Sequence, residues 1–370
     1  MMKKKAKINW DYVVLGIIVI FVVILSHVVV RVGLNLDDPL NPNMHNLSLE
    51  DLFTRFERLS TNDGEPGEIK IISFTDAHSR KDLAMLIDSI SSYDPKVIGL
   101  DYTFHGETEY DSILVNSICR ASNIVIPYNN PLLANVKSGN ISKGRANLTI
   151  HSIKEIERCF IPFYYSNGDT IPSFATAIVR QYSTEKYQKL MQRNNRFEHI
   201  NFHRNYKFDT ISWKEVIEPT IRESFDPEDL KDKIVLIGAF VRNADRYLVP
   251  MGNDMSGLEI HASAINTILQ EDYVFTIPLW VSYVIAILIS IIFILLLYVS
   301  RVKWNNMGNV IIRISQLVLA LLLLYIGTTL LSHNILINFT IVVTSIALSA
   351  IVFDLFYGIY SFIISKISKS

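Results

Sequence analysis

The chain has 370 residues, a formal net charge of −1 and 49% hydrophobic residues, so nothing in its charge balance suggests a nucleic-acid partner. A mean hydropathy of +0.26 is high for a soluble chain, and its source is local: apolar residues gather at the N-terminus and after residue 276. Two cysteines, Cys119 and Cys159, make neither a disulfide framework nor metal-site spacing, and read as two buried thiols, with a single bridge as the alternative in an oxidising compartment.

Val13 to Val30 is an apolar run interrupted only by Ser26 and His27. Its length is near the minimum needed to cross a hydrocarbon core of about 30 Å. Lys3, Lys4, Lys5 and Lys7 precede it, and no small-residue cleavage site follows, so it reads as an uncleaved signal anchor. Further apolar runs cover 279–300, 310–331 and 335–356. Arg301, Lys303 and Arg313 lie in or beside the loop between the second and third runs, whereas Ser332-His333-Asn334 carries no Lys or Arg. The positive-inside rule then places both termini in the cytoplasm, as an even number of spans also requires. The organisation expected of such an inner-membrane protein is a tail over 1–12, a span over 13–30, an extracytoplasmic domain over 31–278, three spans and a cytoplasmic tail over 357–370. Asp354, the only acid in the last run, is expected near the inner interface.

Between the first two spans, strand and helix signals alternate. Glu68 to Phe74, Lys96 to Leu100 and Asn123 to Ile126 read as strands; Ser79 to Ser91 and Asp111 to Arg120 read as helices. That order with short connections predicts an α/β domain with a largely parallel central sheet. The polar stretch 129–150 reads as an exposed excursion. Glu157 to Tyr165 and Ile200 to Phe202 look strand-like, and Pro172 to Gln181 looks helical. Asp209 to Trp213 leads into a short helix capped by Ser212. Lys233 to Gly238 is the clearest buried strand, followed by a helix over Ser256 to Gln270.

Ligands of parallel sheets bind beyond the carboxyl ends of the strands. Asp76, Asp101 and Asp245 fall at such places, and in one polar cleft they would serve a small ligand or cation. Each carboxylate could equally cap a following helix or turn. Glu259 and His261 stand two apart on a helix, so they do not share a face as metal ligands must. No GxGxxG, P-loop or GxSxG pattern occurs, and no catalytic residue, metal or cofactor is expected.

Several blocks occur in a recognisable order: Val97-Ile-Gly-Leu-Asp101-Tyr-Thr-Phe104, Pro172-Ser-Phe-Ala-Thr-Ala177, Ile200-Asn201-Phe202, Lys233-Ile-Val-Leu-Ile-Gly238 and Gly257-Leu-Glu-Ile-His261-Ala-Ser-Ala-Ile-Asn266. This series, over about residues 35 to 275, resembles the type-2 CHASE sensory domain, an extracytoplasmic module preceded by one anchor and followed by three spans. The resemblance implies sensing of an unknown stimulus and makes Asp76, Asp101, Asp245, Glu259, His261 and Asn266 the positions to test as ligand-binding. Members usually signal to a cytoplasmic cyclase, kinase or diguanylate-cyclase module. Because Ser370 closely follows the last span, a separate output protein is the expected partner. The alternative is an envelope scaffold that recruits proteins through the same domain. A homodimer is compatible with a receptor, although no heptad or GxxxG motif marks one.

Overall fold

A computed structural model describes residues 10–30, 51–54, 66–74, 79–133, 141–148, 156–166, 168–202, 208–218, 225–239, 246–250, 254–303 and 306–367. The chain divides into two units, one formed by residues 1–57 and 275–370 and the other by residues 58–274.

The apolar run near the N-terminus forms α1 (Trp10–Val28). The second unit then opens with β1 (Ile69–Ser73), α2 (Arg80–Ser91), β2 (Val97–Asp101), α3 (Asp111–Arg120), β3 (Ile124–Pro127) and β4 (Ile141–Gly144). Short pieces follow: β5 (Cys159–Phe160), the hairpin β6 (Phe163–Ser166) and β7 (Asp169–Pro172), then α4 (Phe174–Tyr182), α5 (Thr184–Arg193) and β8 (Glu198–His199). The unit closes with β9 (Asp209–Ser212), α6 (Trp213–Ile217), β10 (Ile234–Gly238), β11 (Arg246–Leu248), β12 (Asp254–Ser256) and α7 (Gly257–Gln270).

Among the described residues, six strands form one sheet in the order β4-β3-β2-β10-β1-β9, every neighbouring pair parallel. The predicted α/β class with a parallel sheet is what the chain adopts. Strand alternation explains why both faces are covered. Ile69, Ile71, Val97, Val125, Ile234 and Leu236 enter one core with Phe174 and Ile178 of α4 and Leu258 and Ile265 of α7. Ile72, Ile98, Leu100, Ile124, Ile126, Val235 and Ile237 enter the other, with residues of α2, α3 and α6. A strand buried on both faces needs apolar side chains at every position, which is why these strands read as unbroken runs.

Two glycines set how closely α4 approaches the sheet. A Cβ on Gly99 would lie 2.7 Å from Leu236 and 2.8 Å from Ile178. On Gly144 it would lie 2.7 Å from the Phe174 Cα and 2.8 Å from the Ser173 carbonyl oxygen. Helix starts follow their local sequence. Ser79 and Asp82 form a capping box on α2, Ser173 caps α4 through the Thr176 N–H, and Ser183 caps α5 through the Lys186 N–H. Ser212 occupies the N-cap position of α6 but makes no side-chain cap bond.

Some expectations are corrected here. The 129–150 excursion contributes the edge strand β4. The Glu157 to Tyr165 stretch divides between β5 and β6, and strand pairing near Ile200 falls on Glu198–His199. Cys159 is buried as expected, Cys119 is half-buried, and the two are not bridged.

The first unit is completed by β13 (Phe275–Thr276), α8 (Leu279–Lys303), α9 (Asn306–Leu331), β14 (Ile335–Leu336) and α10 (Thr340–Ile367). α1, α8, α9 and α10 are long and apolar enough to cross a membrane. The fourth helix starts at Thr340, because Ile335 and Leu336 pair with β13 instead. Ser282, Ala286, Ser290, Phe293, Ile294 and Leu297 are the buried stripe of α8, and small residues there let helices approach closely. The Ser345 hydroxyl donates to Ser26 at 3.0 Å, joining α10 to α1. Asp354 accepts from Arg301 at 3.1 Å and Arg313 at 2.8 Å, so its charge is matched by α8 and α9.

Candidate functional site

All six strands being parallel, their carboxyl ends share one edge of the sheet. Gly238 pairs with Ser73 on one side and with Asp101 on the other; Gly99 pairs with Val125, and Pro127 with Gly144. Asp101, Pro127 and Gly144 are therefore level, and the residues just beyond them surround a cleft of about 480 Å³. Asp101 and Thr103 come from the end of β2, and Tyr128 and Asn129 from the end of β3. Arg145 and Asn147 follow β4, Tyr247 comes from β11, and Gly257 and His261 from α7. The cleft thus presents a carboxylate, a guanidinium, two phenols and two side-chain amides to one small volume.

Arg145 and His261 are held by their own neighbours. The Arg145 N–H donates to Pro172 and its carbonyl accepts from Phe174, both at 2.9 Å, so its backbone is fixed at the start of α4. Its guanidinium lies 4.4 Å above the Tyr164 ring, a cation–π contact that restricts a long, exposed side chain. Burial raises the Tyr164 phenol above its ordinary value, so that ring stays neutral beneath the cation. The ring of His261 is buried, 5.3 Å from Phe174 in an edge-on arrangement, with Nε2 3.0 Å from the Ala146 carbonyl oxygen. A carbonyl only accepts, so Nε2 carries the proton in this contact. His261 therefore pins the segment after β4 against α7. A cavity of about 20 Å³ beneath Arg145, Tyr164 and His261 has room for one water.

Glu259 is occupied differently. Its carboxylate accepts from the Ser256 N–H at 2.8 Å and hydroxyl at 2.9 Å, while Ser256 Oγ accepts from the Glu259 N–H. This capping box satisfies the first turn of α7 and places a negative charge against its positive dipole end. The helix start is thereby compensated internally, and Glu259 does not line the cleft. Asn266 is buried two turns further along α7 and is also outside it. Asp76 and Asp245 lie outside the described residues. Of the six predicted positions, the structure brings together Asp101 and His261. Among the described residues, no group of three His, Cys, Asp or Glu could hold a metal.

Arg145, Tyr128 and Tyr247 were not read from sequence. Tyr128 and Arg145 lie within a stretch taken as an excursion, and the available signal was Pro127 ending one strand and Gly144 ending the next. A second groove of about 570 Å³ lies along Phe163, Tyr165, Leu190, Met191 and Asn194 and is more apolar in character.

No curated protein and no solved structure gives a significant match to the chain. The family model for the CHASE2 domain matches residues 22–299, which include the parallel sheet, the cleft, the end of α1 and most of α8. With three quarters of its length so matched, this chain belongs to the CHASE2 family of sensory domains.

Proposed function

We propose that this protein is a receptor of a bacterial inner membrane, with both termini cytoplasmic. Its extracytoplasmic CHASE2 domain binds a small polar ligand between Asp101 and Arg145 and relays that binding through the four helices to a separate output protein. The observation that carries the reading is a polar cleft at the carboxyl edge of a parallel sheet, in a sensory domain whose chain also supplies four membrane-length helices. A ligand acts here by binding two conformations of the domain unequally.

The test is thermal unfolding of the intact, detergent-solubilised chain against a panel of small polar solutes. A solute at 100 times its Kd stabilises by about 2.7 kcal/mol. Asp101→Ala and Arg145→Ala are each expected to abolish that stabilisation. A solute that protects the parent and both variants equally would remove the cleft from the reading. For the relay, an output protein is expected to copurify with the chain from native membranes. The scaffold reading is favoured by the groove containing Tyr165 and Met191, both exposed apolar side chains. It predicts a partner set indifferent to solutes and sensitive to Tyr165→Ser.

A further inference from the structure

The sensory unit begins at residue 58 and ends at residue 274, and the segments flanking it belong to the helical unit. Both segments are bound to the same element there. On the N-terminal side, residues 51–54 form a helical turn whose Phe53 is fully buried. Its ring meets Phe339 edge-on at 6.4 Å, and it fills the space over Gly327 of α9, where a Cβ would collide with it. On the C-terminal side, Phe275 and Thr276 pair in parallel with Ile335 and Leu336. The Phe275 N–H donates to Asn334 at 2.7 Å and the Ile277 N–H to Leu336 at 2.8 Å.

We infer that the α9–α10 hairpin is the receiving lever of this receptor, latched by Phe53 at one neck of the domain and by the β13–β14 ladder at the other. The inference rests on the receptor reading and adds a route to it. The chain could pass motion only along α1 and α8, the helices to which the domain is covalently joined. The structure instead fastens both necks to the loop and helix ends of the other two helices. A glycine on α9 under an aromatic ring allows a closer approach than any larger residue would. The paired backbone at the other neck resists shear, because sliding by one residue breaks these hydrogen bonds. A relative displacement of the two necks therefore strains the hairpin and shifts α9 against α8, whose far ends meet where the Ser300 hydroxyl bonds Asn309 at 3.0 Å.

That far contact supplies the readout. In native membranes, the full chain with Cys119→Ser and Cys159→Ala receives Ser300→Cys and Asn309→Cys, and the oxidative crosslinking rate of that pair is measured. Phe53→Ala empties the latch, and Gly327→Leu expels the ring. Each is expected to change the rate by about threefold or more, within the range of couplings carried through packed side chains. Combining Phe53→Ala with Gly327→Leu refills the space and is expected to return the rate towards the parent, which a merely misfolded variant would not do. Rates equal to the parent in both single variants would overturn the lever, as would a double variant no closer to the parent than the singles. Solute protection through Asp101 and Arg145 is measured separately, so the receptor reading and the lever fail independently.

Discussion

Gly144 closes β4 at the place where the backbone of α4 begins, and a side chain there would strike the backbone of residues 173 and 174 and the Ala177 Cβ. Backbone cannot rotate aside as a flexible side chain can. Gly144→Ala is therefore expected to destabilise the protein by roughly 1–3 kcal/mol, the usual cost of overpacking, read as a lower denaturant midpoint. Glu259 offers a prediction of a different kind. Its carboxylate holds the Ser256 end of α7 and lies outside the cleft, so Glu259→Ala is expected to cost about 1 kcal/mol of stability and leave solute protection intact. Lost solute protection at full stability would return Glu259 to the ligand set. Asp111 gives a pH dependence. Hydrogen bonds from Thr108 first, and from Arg80 next, hold its carboxyl below the usual carboxylate range. A folded value below the unfolded one contributes stability above the unfolded pKa of about 3.9, and that contribution disappears as pH falls through the folded value. The stability gap between the parent and Asp111→Asn is thus expected to be full at neutral pH and to shrink below about pH 4, in thermal unfolding across that range.

At the scale of elements, α5 and β8 are tied through a pair that is nearly closed to solvent on one side. Glu198 is 2% exposed and accepts from Arg193 Nε at 2.6 Å and Nη2 at 3.0 Å, while the Arg193 guanidinium stacks 4.0 Å over Tyr273. Arg193→Ala leaves a buried carboxylate without its cation, the Asn195 amide remaining beside it, and is expected to cost about 3 kcal/mol. The double change Arg193→Met with Glu198→Leu should recover much of that loss in denaturant unfolding, because what is costly is the unpaired charge. The α5 helix also shows what a sequence makes legible. Its signals were present, with Ser183 before the first turn, Glu185 within it and Asn194 in the left-handed region at its end, yet its weakly apolar face drew no helix assignment. β1, β2, β3 and β10 were legible because burial on two faces forces continuous apolar runs. β4 was not, because Ile141-Ser-Lys-Gly144 is an edge strand with only its last residue buried. The site divides along the same line. Asp101 and His261, which the structure places on one cleft, each sit in or at the end of an apolar element, whereas Arg145 follows an edge strand that the local pattern does not announce.

For the whole molecule, the distribution of charge in the helical unit bears on which side of the membrane the domain occupies. Asp11 accepts from the Tyr298 and Tyr360 hydroxyls, both at 2.8 Å, and Asp354 accepts from Arg301 and Arg313. These bonds join α1, α8, α9 and α10 at the ends that also carry Lys303, Lys366 and the N-terminal lysines. The opposite ends, around Asn334 and Phe275, have no Lys or Arg between Ser332 and Asn338. Basic residues stay on the cytoplasmic side during insertion, so this asymmetry supports the proposed orientation, in which the charged ends are cytoplasmic and residues 58–274 lie on the other side. A phosphatase reporter that matures only outside the cytoplasm is expected to be active when inserted within 134–140 and inactive when fused after residue 367. Replacing Arg301, Lys303 and Arg313 with Gln should weaken that pattern, because the assignment rests on those charges rather than on the apolar lengths. A phosphatase active only in the C-terminal fusion would invert the orientation, and the cleft would then sample cytoplasmic solutes.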